Sequence, residues 1–254
     1  MAKTILAVFA HPDDEVGIGG FLARAKATDM NIHLICATRG EASRIRHPEF
    51  VTAENQADIR SRELEKSCET LGISSLNFLD LPDGGAENWY CKNPEEKLLQ
   101  LFKEIKPDIV ITFDTNGSNG HKDHKEISRL TTVVFNCYKS SNSEKLYYTT
   151  LFPETFIKRR LWLLPIRRSF KEKIKNKFTT GDDKVTGIIK LNKEELNKKI
   201  SLLDCHKSQF PDENGKYFKV PYSMFKRFAV YECYYLCGYG DNNSKNKYEI
   251  VDIL

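Results

Sequence analysis

Five apolar segments of strand length, 4–10, 31–38, 75–80, 108–113 and 145–150, alternate with charged or amphipathic segments of helix length. Strands separated in this way must return through crossovers, so the pattern predicts an α/β fold built on a mostly parallel sheet with helices on both faces. Between the second and third strands, Ala53 to Leu71 carries Ile59, Leu64 and Cys68 among charges, and Gly72 supplies a stop. A second helix is expected over 94–106, ending before Pro107, and a third from Asp123 onward, with Ile127, Leu130 and Val134 at near-helical intervals. A chain of 254 residues can bury a sizeable core, and a single domain over 1–254 is expected.

Composition narrows the class. With 40% hydrophobic and 29% charged residues and no apolar run long enough to span a bilayer, the chain reads as a soluble protein. Met1-Ala2-Lys3 leads straight into the first strand without the layout of an export signal, so a cytoplasmic location is expected. The seven cysteines are odd in number and form no CxxC pair, which fits a reducing compartment. Cys36, Cys137 and Cys233 sit in apolar segments, where a thiol acts as a small hydrophobe. A basic stretch at about 157–184 is the exception to this ordinary composition. Lys158 to Lys184 alone carries a balance of +7 in a chain whose total is +4. It reads as an insertion whose apolar residues dock on the domain while its charges are solvated, in preference to a peripheral membrane contact.

The chemistry concentrates in two clusters. His11-Pro12-Asp13-Asp14-Glu15 follows the first strand directly, and Gly120-His121-Lys122-Asp123-His124 follows the fourth. In an open α/β sheet, ligands gather in the crevice beyond the carboxyl ends of the strands, so two polar clusters placed there can share one cavity. His11 and Asp14 on a tight turn, with His124 from the second cluster, would make a facial set of two imidazoles and one carboxylate. Such a set leaves positions open for water and substrate, the mark of a catalytic zinc site. Asp13 is then the candidate general base, His121 the group that stabilises an oxyanion or protonates a departing amine, and Asp123 a carboxylate able to hold one of these rings in its tautomer.

These residues resemble the PIG-L/LmbE-type zinc-dependent N-deacetylases. Ala10-His11-Pro12-Asp13-Asp14-Glu15 is similar to that family's AHPDDE signature, and Gly120-His121-Lys122-Asp123-His124 to its GHPDH signature, with Lys122 in place of proline. Weaker similarities run through Ala37-Thr38-Arg39-Gly40-Glu41, Arg60-x-x-Glu63-Leu64, Leu79-Asp80-Leu81-Pro82-Asp83-Gly84 and His206-Lys207-Ser208-Gln209. The expected fold is accordingly a Rossmann-like three-layer α/β/α domain. The resemblance implies Zn2+ held by His11, Asp14 and His124, with another divalent metal such as Fe2+ as the substitute. It implies Asp13 as base, and His121 as electrostatic and acid partner with Asp123 orienting it. Arg60 and Asp83 match positions lining the family's substrate pocket, and His206 lies where the carboxyl-terminal part closes over the site. Asn119 stands where some members carry an auxiliary tyrosine. The implied partner is a small N-acetylated sugar or glycoconjugate, with no nucleic acid, and the implied reaction is hydrolysis of its acetamide.

Two other classes fit parts of the pattern. A two-His, one-carboxylate iron(II) oxygenase shares the ligand types, but the adjoining carboxylate and the parallel α/β pattern favour hydrolysis. A nucleotide-binding module would use Gly17-Ile18-Gly19-Gly20, yet the metal motif occupies the turn where the dinucleotide fingerprint must begin. These glycines instead suit close packing of the first helix.

Overall fold

The structure, a computed structural model, describes residues 2–139, 143–153, 156–158, 169, 171–172, 175, 179–180, 185, 187–212, 214–217 and 222–236. Strand β1 (Thr4–Phe9) leads through helix α1 (Gly19–Ala27) to β2 (Asn31–Cys36), then through α2 (Gln56–Leu71) to β3 (Ser75–Phe78). Helix α3 (Pro94–Ile105) carries the chain back to β4 (Ile109–Phe113), and α4 (Lys122–Tyr138) leads on to β5 (Lys145–Thr150). These five strands lie parallel in the order β3-β2-β1-β4-β5. Strand order reverses beside β1, so right-handed crossovers send α1 and α2 to one face and α3 and α4 to the other. In keeping with this, α1 packs on α2, and α3 packs on α4. Covered on both faces, β1 is buried continuously from Ile5 to Phe9, which is why it reads as an unbroken apolar run and not as an alternation.

The main sheet has two strands more than the sequence pattern indicates. Beyond β5, strand β6 (Gly187–Lys190), helix α5 (Lys193–Ser201), helix α6 (Tyr222–Ala229) and strand β7 (Tyr231–Leu236) follow. Strand β7 pairs antiparallel with β5, and β6 pairs antiparallel with β7, completing a seven-stranded, mostly parallel sheet. Helix α2 starts at Gln56, three residues later than the sequence pattern suggests. Asn55 closes the preceding loop by accepting the Thr52 N–H at 2.7 Å, leaving residues 52–55 outside the helix.

Gly20 shows how closely α1 is packed. A Cβ added there would lie 2.1 Å from Cδ1 of Leu191, so the position admits no side chain without movement of its neighbour. Cys36 and Cys233 are buried as small apolar groups, whereas Cys137 faces outward on α4, against expectation. Ile157, at the start of the basic stretch, is fully buried in a cluster with Phe152, Val185, Ile188 and Phe228. Most of 157–184 lies outside the described residues. Among the described residues, no helix is long and apolar enough to cross a membrane.

Candidate metal centre

The reversal of strand order between β1 and β4 opens a crevice at their carboxyl ends, and both polar clusters hang over it. After β1 the chain turns sharply. The Asp14 N–H donates to the His11 carbonyl at 3.3 Å, and the His11 N–H donates to Asp14 Oδ2 at 2.7 Å. Asp13 adopts φ 108°, a conformation that residues with a Cβ rarely hold. After β4, buried Asp114 shapes the second loop by accepting N–H groups from Asn116 at 3.0 Å and Ser118 at 2.8 Å, while Thr150 donates to its other oxygen. Its role was not recognised in the sequence, although an aspartate between a strand and Thr-Asn-Gly-Ser is a turn signature. His121 caps α4, its Nδ1 accepting the Asp123 N–H at 3.3 Å. Lys122 therefore occupies the first helical position, where proline is also favoured, which accounts for the exchange at this site.

His11, His124 and Asp14 come together. His11 Nδ1 lies 3.1 Å from His124 Nε2 and 3.5 Å from Asp14 Oδ2, and His124 Nε2 lies 3.4 Å from Asp14 Oδ1. The remaining ring nitrogens have acceptors. His124 Nδ1 faces the Gly117 carbonyl at 3.2 Å, and His11 Nε2 faces Asp83 Oδ1 at 3.0 Å and Asp123 Oδ2 at 3.2 Å. Donating there leaves His124 Nε2 and, in the neutral ring, His11 Nδ1 to offer lone pairs to one cation beside the Asp14 carboxylate; without a cation, a protonated His11 Nδ1 can donate to His124 Nε2 instead. Tetrahedral zinc with bonds of about 2.0–2.1 Å spaces its ligand atoms by about 3.4 Å, so this donor set fits that ion. His121 is a further donor within reach, since ligand atoms of His11, His121 and His124 all lie within 4.8 Å of one another. A second such group shares His11 with Asp83 and Asp123. Phe113 stacks on the His124 ring at 4.0 Å and 2°, fixing its plane.

Environment separates the titratable groups. Burial pushes the Asp13 carboxyl up to about 6 even though Arg60 pulls the other way. Burial opposes ionisation of Asp14 as well, but His124 and His11 overcome it and hold Asp14 down at about 2. Burial keeps His124 below its ordinary value, the neutral form a ligand needs. Burial also works against protonation of His11, yet hydrogen bonds that its ring donates to Asp123, Asp14 and Asp83 outweigh it and raise that ring well above the ordinary value.

The other expected site residues lie beside or behind this cluster. Asp123 was expected to orient His121, but its fully buried carboxylate sits on His11 and accepts the Gly84 N–H at 2.7 Å. Asp83 likewise touches His11 and accepts the Ala42 N–H at 2.9 Å. Arg60 is buried, donating to the Gly40 carbonyl at 2.9 Å and to the Pro12 carbonyl, with Asp13 Oδ2 at 3.4 Å. Gly40 has φ 74°, and a Cβ there would lie 2.2 Å from Arg60 Nη1, so this contact requires glycine. His206 has no exposed surface, and its Nε2 meets Glu15 Oε1 at 2.5 Å. The side chain of Asn119 lies outside the described part of the structure.

Comparison with known proteins places this geometry. The family profile described as "PIG-L: GlcNAc-PI de-N-acetylase" matches residues 6–135, from β1 through most of α4, including both clusters. The chain belongs to the PIG-L family. A 1D-myo-inositol 2-acetamido-2-deoxy-alpha-D-glucopyranoside deacetylase of Salinispora arenicola is 27% identical over 247 residues, covering 85% of this chain and 79% of that protein. Among solved structures, the N,N'-diacetylchitobiose deacetylase of Pyrococcus horikoshii superposes with a TM-score of 0.58 at 21% identity, over 84% of this PIG-L chain and 72% of its own. A 4-carboxy-2-hydroxymuconate hydratase of Pseudomonas putida has the same fold, with a TM-score of 0.62 at 15% identity over 96% and 99% of the two chains. The fold shared by these proteins thus carries more than one reaction.

Proposed function

We propose that the protein is a zinc-dependent N-deacetylase that hydrolyses the acetamide of an N-acetylglucosaminyl-type or related N-acyl sugar, releasing acetate and a free amine. The observation that carries this reading is the apposition of His11 Nδ1, His124 Nε2 and the Asp14 carboxylate at 3.1–3.5 Å, beside the partly exposed carboxylate of Asp13. Membership of the PIG-L family and the 2-acetamido-glucopyranoside named for the Salinispora relative support the substrate class.

His11, His124 and Asp14 would hold the metal, and the carboxylates of Asp83 and Asp123 would keep the His11 ring in the tautomer that offers Nδ1. These residues would thereby gain a zinc-activated water with its pKa lowered to about 7 and a Lewis acid for the amide carbonyl. Asp13, at about 6, is ionised at neutral pH and still basic enough to take the proton from the attacking water. The His121 ring lies 4.9 Å from those of both His11 and His124, at the exposed side of the cluster. From there its protonated form can stabilise charge on the amide oxygen and then give a proton to the amine as the C–N bond breaks.

The test is incubation with 1D-myo-inositol 2-acetamido-2-deoxy-alpha-D-glucopyranoside and N,N'-diacetylchitobiose, following acetate and free amine with zinc-loaded and chelated protein. Equimolar release by the zinc form only is expected. Asp13→Asn should keep the metal and lose about 10²- to 10⁴-fold in kcat. Oxygen consumption with iron, or binding of NAD, would instead favour the oxygenase or nucleotide-binding readings.

A further inference from the structure

Asp13 holds a backbone conformation that it would not adopt by itself, and the neighbouring Glu15 that grips it is fixed in turn by residues from distant parts of the chain. The peptide plane between Pro12 and Asp13 is gripped at both ends. Its carbonyl accepts from Arg60 Nη2, and its N–H donates to Glu15 Oε2 at 3.0 Å. Glu15 is itself buried and fixed through its other oxygen, which accepts from Ser67 Oγ and His206 Nε2, each at 2.5 Å. Arg60 and Ser67 share one face of α2 with Glu63, at spacings of three and four residues. Glu63 takes the Ser208 N–H at 2.7 Å and the Ser208 hydroxyl at 2.6 Å, so the segment containing His206 is clamped to the same helix face. The Arg60-x-x-Glu63 and His206-Lys207-Ser208 motifs thereby meet behind the turn that presents Asp13.

We infer that Glu15, anchored by Ser67 and His206, is a positioning residue for the catalytic base, holding the Asp13 backbone at its strained φ so that the carboxylate meets the attacking water. This rests on the reading of Asp13 as general base. All three are buried, and they act through Asp13. Small errors in the placement of a reacting group are costly, and outer-shell partners of metal sites commonly change activity by about 10- to 100-fold.

The experiment is a double-mutant cycle with the inositol glycoside above as substrate, reading kcat, KM and bound zinc. Glu15→Ala, and the milder Ser67→Ala in case the first fails to fold, should each lower kcat by about 10- to 100-fold while KM and zinc content stay within about twofold. Glu15→Gln, whose amide oxygen can still accept the Asp13 N–H, should recover most of that loss. In the Asp13→Asn background the same substitutions should change the residual rate by less than about twofold, because the group they position is gone. An undiminished loss in that background, or a loss explained by KM or zinc content, overturns the positioning role. Full activity of Asp13→Asn alone overturns the base assignment itself, and the two failures are thus distinguishable.

Discussion

At the scale of single residues, Asp13 and Asp14 are chemically identical neighbours with opposite environments. Burial leaves Asp13 at about 6, whereas His124 and His11 overcome burial and hold Asp14 at about 2. One therefore suits proton transfer and the other metal binding, a division made by surroundings and not by residue type. If Asp13 is the base, as proposed, it must be ionised to work, so kcat/KM should fall as pH drops through about 6, and a pH–rate profile checks it. The Glu15–His206 pair makes a separate prediction about stability. Burial opposes the charge on Glu15, but His206 outweighs it and holds that carboxyl below its ordinary value; Glu15 likewise outweighs burial and holds His206 above its ordinary value. The Glu15 contribution is present above its unfolded pKa and lost as pH falls through the lowered folded value. The His206 contribution is complete below its unfolded pKa and lost as pH rises through the raised folded value. His206→Ala should thus cost most between about pH 4.5 and 6.5, about 3–5 kcal/mol, read as the gap between urea unfolding curves of metal-free proteins across pH. His11, Asp13 and Asp14 were legible as one cluster, and His121 and His124 as another, because neighbours on a turn share a location. The strained φ of Asp13 was not, since its cause lies in side chains elsewhere.

At the scale of elements, β1 and β4 were legible because burial on both faces makes them near-continuous apolar runs, and the half-buried β3 and β5 because their short apolar segments stand between helix-length ones. The antiparallel pair β6 and β7 was not, because the sequence Tyr231-Glu232-Cys233-Tyr234-Tyr235-Leu236 carries a carboxylate that reads as solvent-facing. Glu232 is only 3% exposed, and its partners explain this. It accepts the N–H groups of Gly20 and Phe21 at the start of α1, both at 2.9 Å, and pairs with Lys199 of α5 at 2.7 Å. Lys199 also donates to the Gly17 carbonyl at 2.7 Å. The pair ties β7 and α5 to the beginning of α1. Removing one partner of a buried ion pair strands the other, so Lys199→Met should destabilise by about 3–5 kcal/mol, measured by urea unfolding. Glu232→Gln combined with Lys199→Met should recover part of that loss, because no uncompensated charge is then left buried.

At the scale of the whole molecule, the candidate metal centre joins turns that follow β1 and β4, so an ion bound there favours the folded chain over the unfolded one. At zinc concentrations a hundredfold above the dissociation constant, linkage supplies about 3 kcal/mol. For a chain of this size that raises Tm by about 5 to 10 °C, a gain that calorimetry should show is abolished by a chelator and absent in His124→Ala. The sequence by itself determined the parallel α/β scaffold and the two clusters at its strand ends, because strand periodicity and turn residues act over a few neighbouring positions. Tertiary structure alone decided that Asp83 and Asp123 both serve His11, that Arg60 and His206 stand behind Asp13, and that an antiparallel edge completes the sheet. Those contacts link residues as far as 112 and 191 positions apart, and only packing sets which way such side chains point.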